Sequence, residues 1–256
     1  MSQRVKDKVA VVTAAGLGIG RACAVRFASE GAKVVVSDIN PDNAAKTVEI
    51  ITENGGEAVS MITDVTQADQ VDALVSDAVA KFGRLDIMVN NAGGALPNQY
   101  LDASLEEYHK IMALNMHSVH YGLRAALPVM KEQGGGSIVS MSSGAGLGYC
   151  GGLSIYGGAK AGLAHLTRGV AVEYGKYGIR ANVISPGPMD TPGLRTWLET
   201  LPNGYEKWSE HVPVGRLGLA EDIANAALFL CSDEASFVNG ILMPVDGAVH
   251  AKLSEP

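Results

Sequence analysis

Short β-branched runs alternate with amphipathic segments along most of the chain. Residues 9–12 and 34–36 are two such runs, and the segment between them places Ile19, Cys23 and Phe27 on one helical face. The glycines and small polar residues that follow each run are typical of turns. The sequence therefore opens with a predicted strand–helix–strand unit.

The same alternation continues through the rest of the chain. Further strands are predicted at 58–62, 85–89, 137–141, 181–184 and 241–243, and further helices at 42–54, 66–82, 104–130, 156–174 and 221–230. Parallel strands need crossover helices, which cover both faces of a sheet. The pattern predicts a single α/β domain over residues 1–256, doubly wound, with a mainly parallel sheet of about seven strands and helices on both faces.

Local signals predict how some of these segments begin or end. Residues 66–69 and 104–107 have the form of capping boxes, in which side chains bond the first N–H groups of a helix. Pro128 is expected to break or kink the long helix near its end. Residues 192–214 show no clean period, so a loop or small helical insert over about 190–214 is expected to cover a substrate.

Composition and charge limit the functional classes. The 256 residues are 47% hydrophobic with a mean hydropathy of +0.13, which is enough apolar material for a core. The formal net charge of −7 disfavours nucleic acid as a partner. The sequence has no long apolar run and no signal-peptide pattern, so a cytoplasmic protein without membrane association is expected.

Metal and disulfide chemistry are not expected. Cys23, Cys150 and Cys231 are widely spaced without a CxxC pattern, which predicts neither a disulfide framework nor a zinc site. His117 and His120 lie three residues apart, but no third ligand has a suitable spacing. This cysteine usage fits a reducing compartment best.

Glycines follow the first predicted strand. Gly16, Gly18 and Gly20 stand where glycine lets a pyrophosphate approach the backbone and the N–H groups of the next helix. Asp38 ends the second strand, where a carboxylate accepts hydrogen bonds from the adenosine ribose of NAD and repels the 2′-phosphate of NADP. The two features predict an NAD site, with a ligand-free turn and a capping aspartate as the alternatives.

Tyr156 and Lys160 form a candidate acid–base pair. They lie four residues apart on a predicted helix and share one face, where an ammonium favours a neighbouring phenolate by lowering its pKa. A Tyr-x-x-x-Lys pair also arises by chance in a chain of this composition. The surrounding motifs must therefore decide whether this pair is catalytic.

Ordered motifs connect these features. They are residues 13–20, Asn90-Asn91-Ala92-Gly93, Asn115, Ser143, Tyr156-Gly157-Gly158-Ala159-Lys160 and Pro186-Gly187. Together they resemble the short-chain dehydrogenase/reductase family over nearly the whole chain, from about Lys8 to Ala248. The resemblance implies a Rossmann-type fold and an NAD-dependent oxidoreductase that interconverts a secondary alcohol and a ketone by hydride transfer.

The resemblance also implies roles for individual residues. Tyr156 is the implied general acid/base, Lys160 lowers its pKa and binds the nicotinamide ribose, and Ser143 holds the substrate oxygen. Asn115 helps to hold a water in a proton relay, and Asn90 stabilises the central sheet. The implied cofactor contacts are Thr13, Gly16, Leu17, Gly18, Ile19, Gly20, Asp38, Ile39, Asp64, Val65, Asn91, Ala92, Gly93, Tyr156, Lys160, Pro186, Gly187, Met189 and Thr191. Turn formation or packing is the alternative role for many of these residues.

Three positions depart from the family pattern. Ala14 stands where the first glycine is usual and is expected to shift or tighten the phosphate turn, while Gly18 and Gly20 preserve binding. Gly158-Ala159 replaces the commoner Ala-Ser, and Ala248 replaces a late glycine. None of these changes touches a group that moves a proton.

Apolar residues near the motifs and in the insert predict the wall of a substrate pocket. They are Leu96, Leu147, Tyr149, Cys150, Leu153, Met189, Leu194, Trp197, Leu198 and Trp208. Such a wall suggests an alicyclic, aromatic or steroid-like alcohol or ketone, whereas Arg195 leaves an anionic substrate open. Core packing is the alternative for about half of the set.

Small residues on the helix that carries Tyr156 predict close approach to another helix. They are Gly157, Gly158, Ala159, Ala161, Gly162 and Ala164. The family commonly pairs this helix and the long helix before it across a tetramer interface, so a homotetramer is expected. Burial of the small residues inside one chain is the alternative.

Two other functions are considered. One is an NADPH-dependent 3-oxoacyl-[acyl-carrier-protein] reductase of the same family, against which Asp38 argues. The other is a non-catalytic NAD-binding sensor or scaffold, for which Tyr156, Lys160 and Ser143 would not be needed. The comparison of NADH with NADPH separates the first alternative from the NAD-dependent enzyme.

Overall fold

A parallel sheet forms the centre of the structure, a computed structural model that describes residues 3–148 and 150–252. Its strands are β1 (Val9–Thr13), β2 (Lys33–Asp38), β3 (Glu57–Ile62), β4 (Ile87–Asn90), β5 (Gly136–Met141), β6 (Ile179–Pro186) and β7 (Leu242–Val245). In the described residues they pair in the order β3-β2-β1-β4-β5-β6-β7, every pair parallel. The predicted doubly wound parallel sheet is confirmed.

Helices connect the strands and cover both faces of the sheet. They are α1 (Gly18–Ser29), α2 (Pro41–Glu53), α3 (Ala68–Phe82), α4 (Leu105–Met112), α5 (Ser118–Glu132), α6 (Ser154–Tyr174), α7 (Pro192–Leu198), α8 (Gly204–His211) and α9 (Ala220–Cys231). The insert predicted at 192–214 contains α7 and α8. Over residues 3–148 and 150–252, no helix combines the length and apolar character needed to cross a membrane.

The alternation of side chains along the strands creates two cores. Ala10 and Val12 of β1 face one core with α1, α2 and α9, whereas Val11 faces the other core with α3, α5 and α6. All three side chains are completely buried. A strand with both faces covered must be apolar at consecutive positions, which explains its continuous apolar run.

One of the two predicted capping boxes forms. At the start of α4 the Glu107 N–H donates to Ser104 Oγ at 3.1 Å, and the Ser104 N–H donates to Glu107 Oε2 at 2.7 Å. The box predicted at 66–69 is wrong, because α3 begins at Ala68 without a side-chain cap. The Thr66 hydroxyl instead donates to Asp64 Oδ1 at 2.7 Å.

The structure differs in two ways from the long helix predicted at 104–130. A π-helical turn, Ala113–His117, separates α4 from α5, so the region is not one regular helix. Pro128 does not end α5, which continues to Glu132. Leu127 and Met130 are buried against the sheet, and this packing holds the last turn despite the hydrogen bond that a proline cannot donate.

Candidate active site

The carboxyl ends of the parallel strands bring the predicted site residues to one edge of the sheet. Thr13 and Asp38 are the last residues of β1 and β2, Asn90 is the last of β4, and Pro186 is the last of β6. The chain leaves β1 toward β2 on one side and later returns to place β4 on the other. Such a reversal opens a crevice at the strand ends, which is where open α/β sheets bind ligands.

Thr13 and Asn91 tie β1 to the segment after β4. The N–H groups of Asn91 and Ala92 donate to Thr13 Oγ1 at 3.0 and 3.2 Å. The Asn91 side-chain amide donates back to the carbonyls of Thr13 and Ala14 at 3.0 and 3.2 Å. These bonds fix the floor of the crevice between the two strands.

The glycine turn, residues 13–20 with Gly16, Gly18 and Gly20, leaves no space for side chains at its closest approaches. A Cβ on Gly20 would lie 2.2 Å from the Ala14 carbonyl oxygen, so no side chain fits where α1 passes under the turn. Gly18 has φ of +52° and begins α1. The preceding Leu17 makes no side-chain cap, and the first turn of α1 carries no acidic residue. The first N–H groups of α1 are therefore available to an anion such as a pyrophosphate.

Asp38 is already bonded to the glycine turn. Its Oδ2 accepts from the Gly16 N–H at 2.8 Å, and its Oδ1 accepts from the Asn40 N–H at 2.9 Å. A carboxylate has about four acceptor positions, so it can still accept two ribose hydroxyls. Sequence reasoning missed Arg21, whose guanidinium donates to the Gly16 carbonyl and to Thr47 Oγ1, so this cation supports the turn.

The side chains of the remaining predicted cofactor residues differ in how exposed they are. Leu17 and Ile39 are 43% and 65% exposed beside the crevice. The side chains of Val65, Ala92 and Met189 are instead buried in apolar clusters. These three residues can present only backbone atoms to a ligand.

Two predicted positions beside the crevice are held by local contacts. Asp64 Oδ1 accepts from the N–H of Thr66 at 2.9 Å as well as from its hydroxyl, which leaves the other carboxylate oxygen uncommitted to this turn. Gly187 is needed for space, because a Cβ there would lie 2.5 Å from Asp246 Cβ. The segment after β6 therefore rests directly on the segment after β7.

Tyr156 lies in the first turn of α6, where the side chain of Ser143 interacts with its phenol. Ser143 follows the end of β5 by two residues, and its Oγ accepts from the Ala145 N–H at 3.2 Å. Burial raises the pKa of the Tyr156 phenol, the bond to Ser143 lowers it, and nearby Cys150 raises it, with a net shift upward. The two hydroxyl groups predicted to act on the substrate are in contact.

Lys160 lies one turn farther along α6 and is almost completely buried. Its Nζ donates to the Met141 carbonyl at 2.8 Å and lies 5.7 Å from the centre of the Tyr156 ring. Burial lowers the pKa of the ammonium from 10.5 to about 7. Burial therefore disfavours the charged form of both groups, and the lowering of the Tyr156 pKa by Lys160 stays a prediction.

Asn115 occupies the π-helical turn and is fully buried. Its Nδ2 donates to the carbonyls of Gly94 and Ile111 at 2.8 and 2.9 Å, and its Oδ1 accepts from the Gly94 N–H at 3.1 Å. A Cβ on Gly93 would lie 2.7 Å from Lys160 Nζ and 2.8 Å from Asn115 Oδ1. Glycine at this position therefore lets the loop after β4 approach both polar groups.

Part of the predicted pocket wall surrounds Tyr156. Leu96 and Leu153 line a cavity of about 10 Å³ beside it, which has room for a single water. Sequence reasoning missed Asn98, Tyr100 and Ile111 in this wall, because only the fold brings the loop after β4 against the start of α6. The backbone N–H of Asn98 donates to the Gly152 carbonyl at 2.8 Å and joins the two loops.

Other predicted wall residues lie elsewhere. Met189 and Leu198 are buried in core clusters, and Leu194 and Trp208 pack against the cluster of Leu198. The Trp197 ring meets the Trp208 ring edge-on at 5.4 Å. Leu147 is 41% exposed and Cys150 is half-buried, whereas Tyr149 lies outside the described residues.

Arg195 is paired with a carboxylate, although its side chain is largely exposed. Its guanidinium makes two hydrogen bonds to the carboxylate of Asp190, at 2.5 and 2.8 Å. Asp190 therefore neutralises the charge of the residue that, in the sequence analysis, left an anionic substrate open. Within the two described ranges, no group of three potential His, Cys, Asp or Glu ligands is placed to hold a metal ion.

Comparison with known proteins agrees with this geometry. A family model described as enoyl-(acyl carrier protein) reductase matches residues 13–250. The 7alpha-hydroxysteroid dehydrogenase of Escherichia coli strain K12 is 39% identical over 244 residues, 95% of this chain and 94% of that protein. The cyclohexanol dehydrogenase of Acinetobacter sp. strain SE19 is 39% identical over 254 residues, 98% of each chain.

A solved structure extends the comparison to the fold. A 7α-hydroxysteroid dehydrogenase complexed with NADH and 7-oxo glycochenodeoxycholic acid superposes with a TM-score of 0.91 at 38% identity, and the match covers 96% of this chain and 95% of that one. The chain belongs to the short-chain dehydrogenase/reductase family. It is an oxidoreductase, as these relatives are.

Two departures from the pattern of the short-chain dehydrogenase/reductase family fall at left-handed backbone positions. Ala14 has φ of +49° and Ala248 has φ of +73°. Glycine adopts this conformation freely, whereas the Cβ of alanine makes it unfavourable by about 1 kcal/mol or more. The expected tightening at Ala14 therefore takes the form of a strained backbone within the turn.

The burial of Lys160 predicts how stability depends on pH. The pKa is about 7 when folded and 10.5 when unfolded, so between these values the unfolded chain binds the extra proton. The free energy of unfolding then rises with pH by at most about 1.4 kcal/mol per unit. The destabilisation by Lys160 is complete below pH 7 and disappears above pH 10.5.

Lys160→Met removes this titration, so its gain in melting temperature over the wild type should be largest near pH 6 and shrink toward pH 10. Circular dichroism melts at several pH values measure the difference. Lys207→Met, at an exposed position, is the control and should give a difference that does not vary with pH. A pH-independent difference for Lys160→Met would contradict the lowered pKa.

Proposed function

We propose that this enzyme interconverts a secondary alcohol and a ketone with NAD as cofactor and Tyr156 as general acid/base. The observation that carries the proposal is the contact of Tyr156 with Ser143 above buried Lys160, at the same edge of the sheet as the glycine turn. A phenol in that place can exchange a proton with a substrate oxygen. The catalytic set is Asn115, Ser143, Tyr156 and Lys160.

Tyr156 and Ser143 act together on the substrate oxygen. In ketone reduction the Ser143 hydroxyl donates a hydrogen bond to that oxygen and Tyr156 gives it a proton; in alcohol oxidation Tyr156 takes the proton back. The ammonium form of Lys160 supplies a positive charge beside the developing phenolate. The hydride would pass to or from NAD held in the crevice.

The crevice supplies groups suited to each part of a dinucleotide. The uncapped start of α1 would receive the pyrophosphate, and Asp38 would receive the adenosine ribose. Lys160 would bind the nicotinamide ribose, and the segment from Pro186 to Thr191 would meet the nicotinamide. Because Asp38 is an anion at the ribose position, we assign NAD rather than NADP.

The substrate is assigned to the alicyclic or steroid-like alcohols and ketones. Leu96, Ile111 and Leu153 make the surface beside Tyr156 mainly apolar; the cavity there holds only one water, so the support comes from the character of these side chains and not from the volume. The ion pair with Asp190 reduces the net positive charge that Arg195 offers to an anionic substrate. The names of the two relatives, a hydroxysteroid dehydrogenase and a cyclohexanol dehydrogenase, support the same class.

A homotetramer that pairs α5 and α6 is part of the proposal. Gly157, Ala159 and Ala164 are buried within the chain, so only part of the predicted small-residue set is available to a partner. Gly158 and Ala161 are exposed on α6, and a Cβ on Gly158 would meet no atom within 4 Å. This open strip supports close packing against a second copy.

Tyr156→Phe tests the acid/base assignment. The ring remains and the proton is lost, so turnover should fall by about 10²- to 10⁴-fold while the Kd for NADH changes little. Cyclohexanol and hydroxysteroid oxidation, followed by absorbance of the reduced nicotinamide, measures turnover, and NADH fluorescence measures binding. Tyr174→Phe, at the other end of α6, is the control. Unimpaired turnover of Tyr156→Phe would remove this residue from the mechanism.

Asp38→Asn tests the cofactor assignment. The wild type should bind NADH more tightly than NADPH, and the substitution should reduce that preference roughly tenfold because the charge is lost while one oxygen still accepts from Gly16. Fluorescence titration with both dinucleotides gives the ratio. Asp42→Asn, in the first turn of α2, controls for a general change in surface charge. Tighter NADPH binding by the wild type would contradict the assignment to NAD.

The assembly proposal predicts a mass near four times 26.6 kDa in light scattering. Ala161→Glu should split the tetramer, because a charge in a close helix contact is costly. Ala73→Glu, on an exposed face of α3, should leave the mass unchanged. A wild-type mass of one chain would refute the proposal.

A further inference from the structure

A cluster of three polar side chains joins the segment after β6 to both helices of the insert. The carboxylate of Asp190 accepts two bonds from Arg195 of α7 and one from the Tyr205 hydroxyl of α8, the last at 3.1 Å. The Asp190 side chain is only 6% exposed, whereas that of Arg195 is 61% exposed. The hydrogen bond from Arg195 is the main reason that the pKa of Asp190 is held below its ordinary value, and burial opposes it.

Thr191, the residue after Asp190, links this cluster to the glycine turn. Thr191 caps α7 by accepting from the Leu194 N–H at 3.4 Å, and its own N–H donates to the Met189 carbonyl at 2.8 Å. A Cβ on Gly18 would lie 3.6 Å from Thr191 Cγ2. Thr191 therefore lies beside Gly18 in the turn proposed to hold the pyrophosphate, and Asp190 is the residue before it.

The rest of the insert is anchored at a different point. Leu198, Val212 and Leu217 form a small buried cluster, which fixes the end of α7 and the residue after α8. Asp190 is itself fixed by its N–H, which donates to the Gly218 carbonyl at 2.7 Å. The start of α7 depends on the Thr191 cap and on Arg195.

We propose that Arg195 is a positioning residue for the bound dinucleotide. It neutralises Asp190 and holds Thr191 beside Gly18. This inference rests on the proposed function. In this proposal Arg195 acts through its bonds to Asp190. Without its guanidinium, a nearly buried carboxylate one residue from Thr191 would lose its counter-charge, close to a site that must accept two phosphate charges.

A charge-compensation cycle tests the proposal. Arg195→Ala should raise the Kd for NADH roughly three- to tenfold, in the range expected for a partly exposed ion pair at the rim of a charged site. Adding Asp190→Asn to that variant should return the Kd to within about twofold of the wild type, because the unpaired anion is then gone. Added salt should reduce the defect of Arg195→Ala by screening that anion.

The ion pair of Arg84 with Asp86 is a matched control. It is also bidentate, and its carboxylate and guanidinium are 11% and 56% exposed, but it lies at the opposite end of the strands. Arg84→Ala should leave the Kd for NADH unchanged. Arg195→Lys keeps the charge and should bind NADH more tightly than Arg195→Ala.

The outcomes separate this inference from the function on which it rests. If the wild type binds no NADH, both are overturned. If the wild type binds NADH but Arg195→Ala binds it equally well, or if the double variant binds it no better than Arg195→Ala, only the role of Arg195 is overturned. Circular dichroism confirms that each variant is folded before titration.

Discussion

The site depends on backbone approaches that are too close for a side chain. Gly20 lets α1 pass under the Ala14 carbonyl, and Gly93 lets the loop after β4 reach Lys160 and Asn115. A Cβ on Gly20 would overlap a backbone carbonyl, and a Cβ on Gly93 would displace the Lys160 ammonium and the Asn115 amide from their present places. The glycines therefore determine both the shape of the proposed nucleotide site and the place of the buried lysine beside it.

Burial sets the electrostatics of this site. Lys160 and Tyr156 are both desolvated, so the pKa of each is shifted toward its neutral form, and the Met141 carbonyl and Ser143 provide their polar contacts. A charge that binds in the crevice would therefore change the pKa values of both groups. Asp190 shows the opposite arrangement, because Arg195 and Tyr205 stabilise the charged form of a carboxylate that is nearly buried.

Several local features followed directly from the order of residues. The seven strands, the capping box of Ser104 with Glu107, and the positions of Asp38 and Tyr156 at element ends were all predictable, because hydrophobic period and turn chemistry act over a few residues. The box at 66–69 failed because the Thr66 hydroxyl had a better acceptor in Asp64. Pro128 failed as a helix stop because tertiary packing of Leu127 and Met130 outweighed a local preference.

The sequence by itself determined the alternation of strands and helices, the family motifs and the identity of the candidate acid–base pair. Only the tertiary structure decided which charges are neutralised, which wall residues reach Tyr156, and in which direction the pKa values of Tyr156 and Lys160 shift. Element types arise from interactions between near neighbours in the chain. Burial and charge pairing instead depend on distances between segments that only folding brings together.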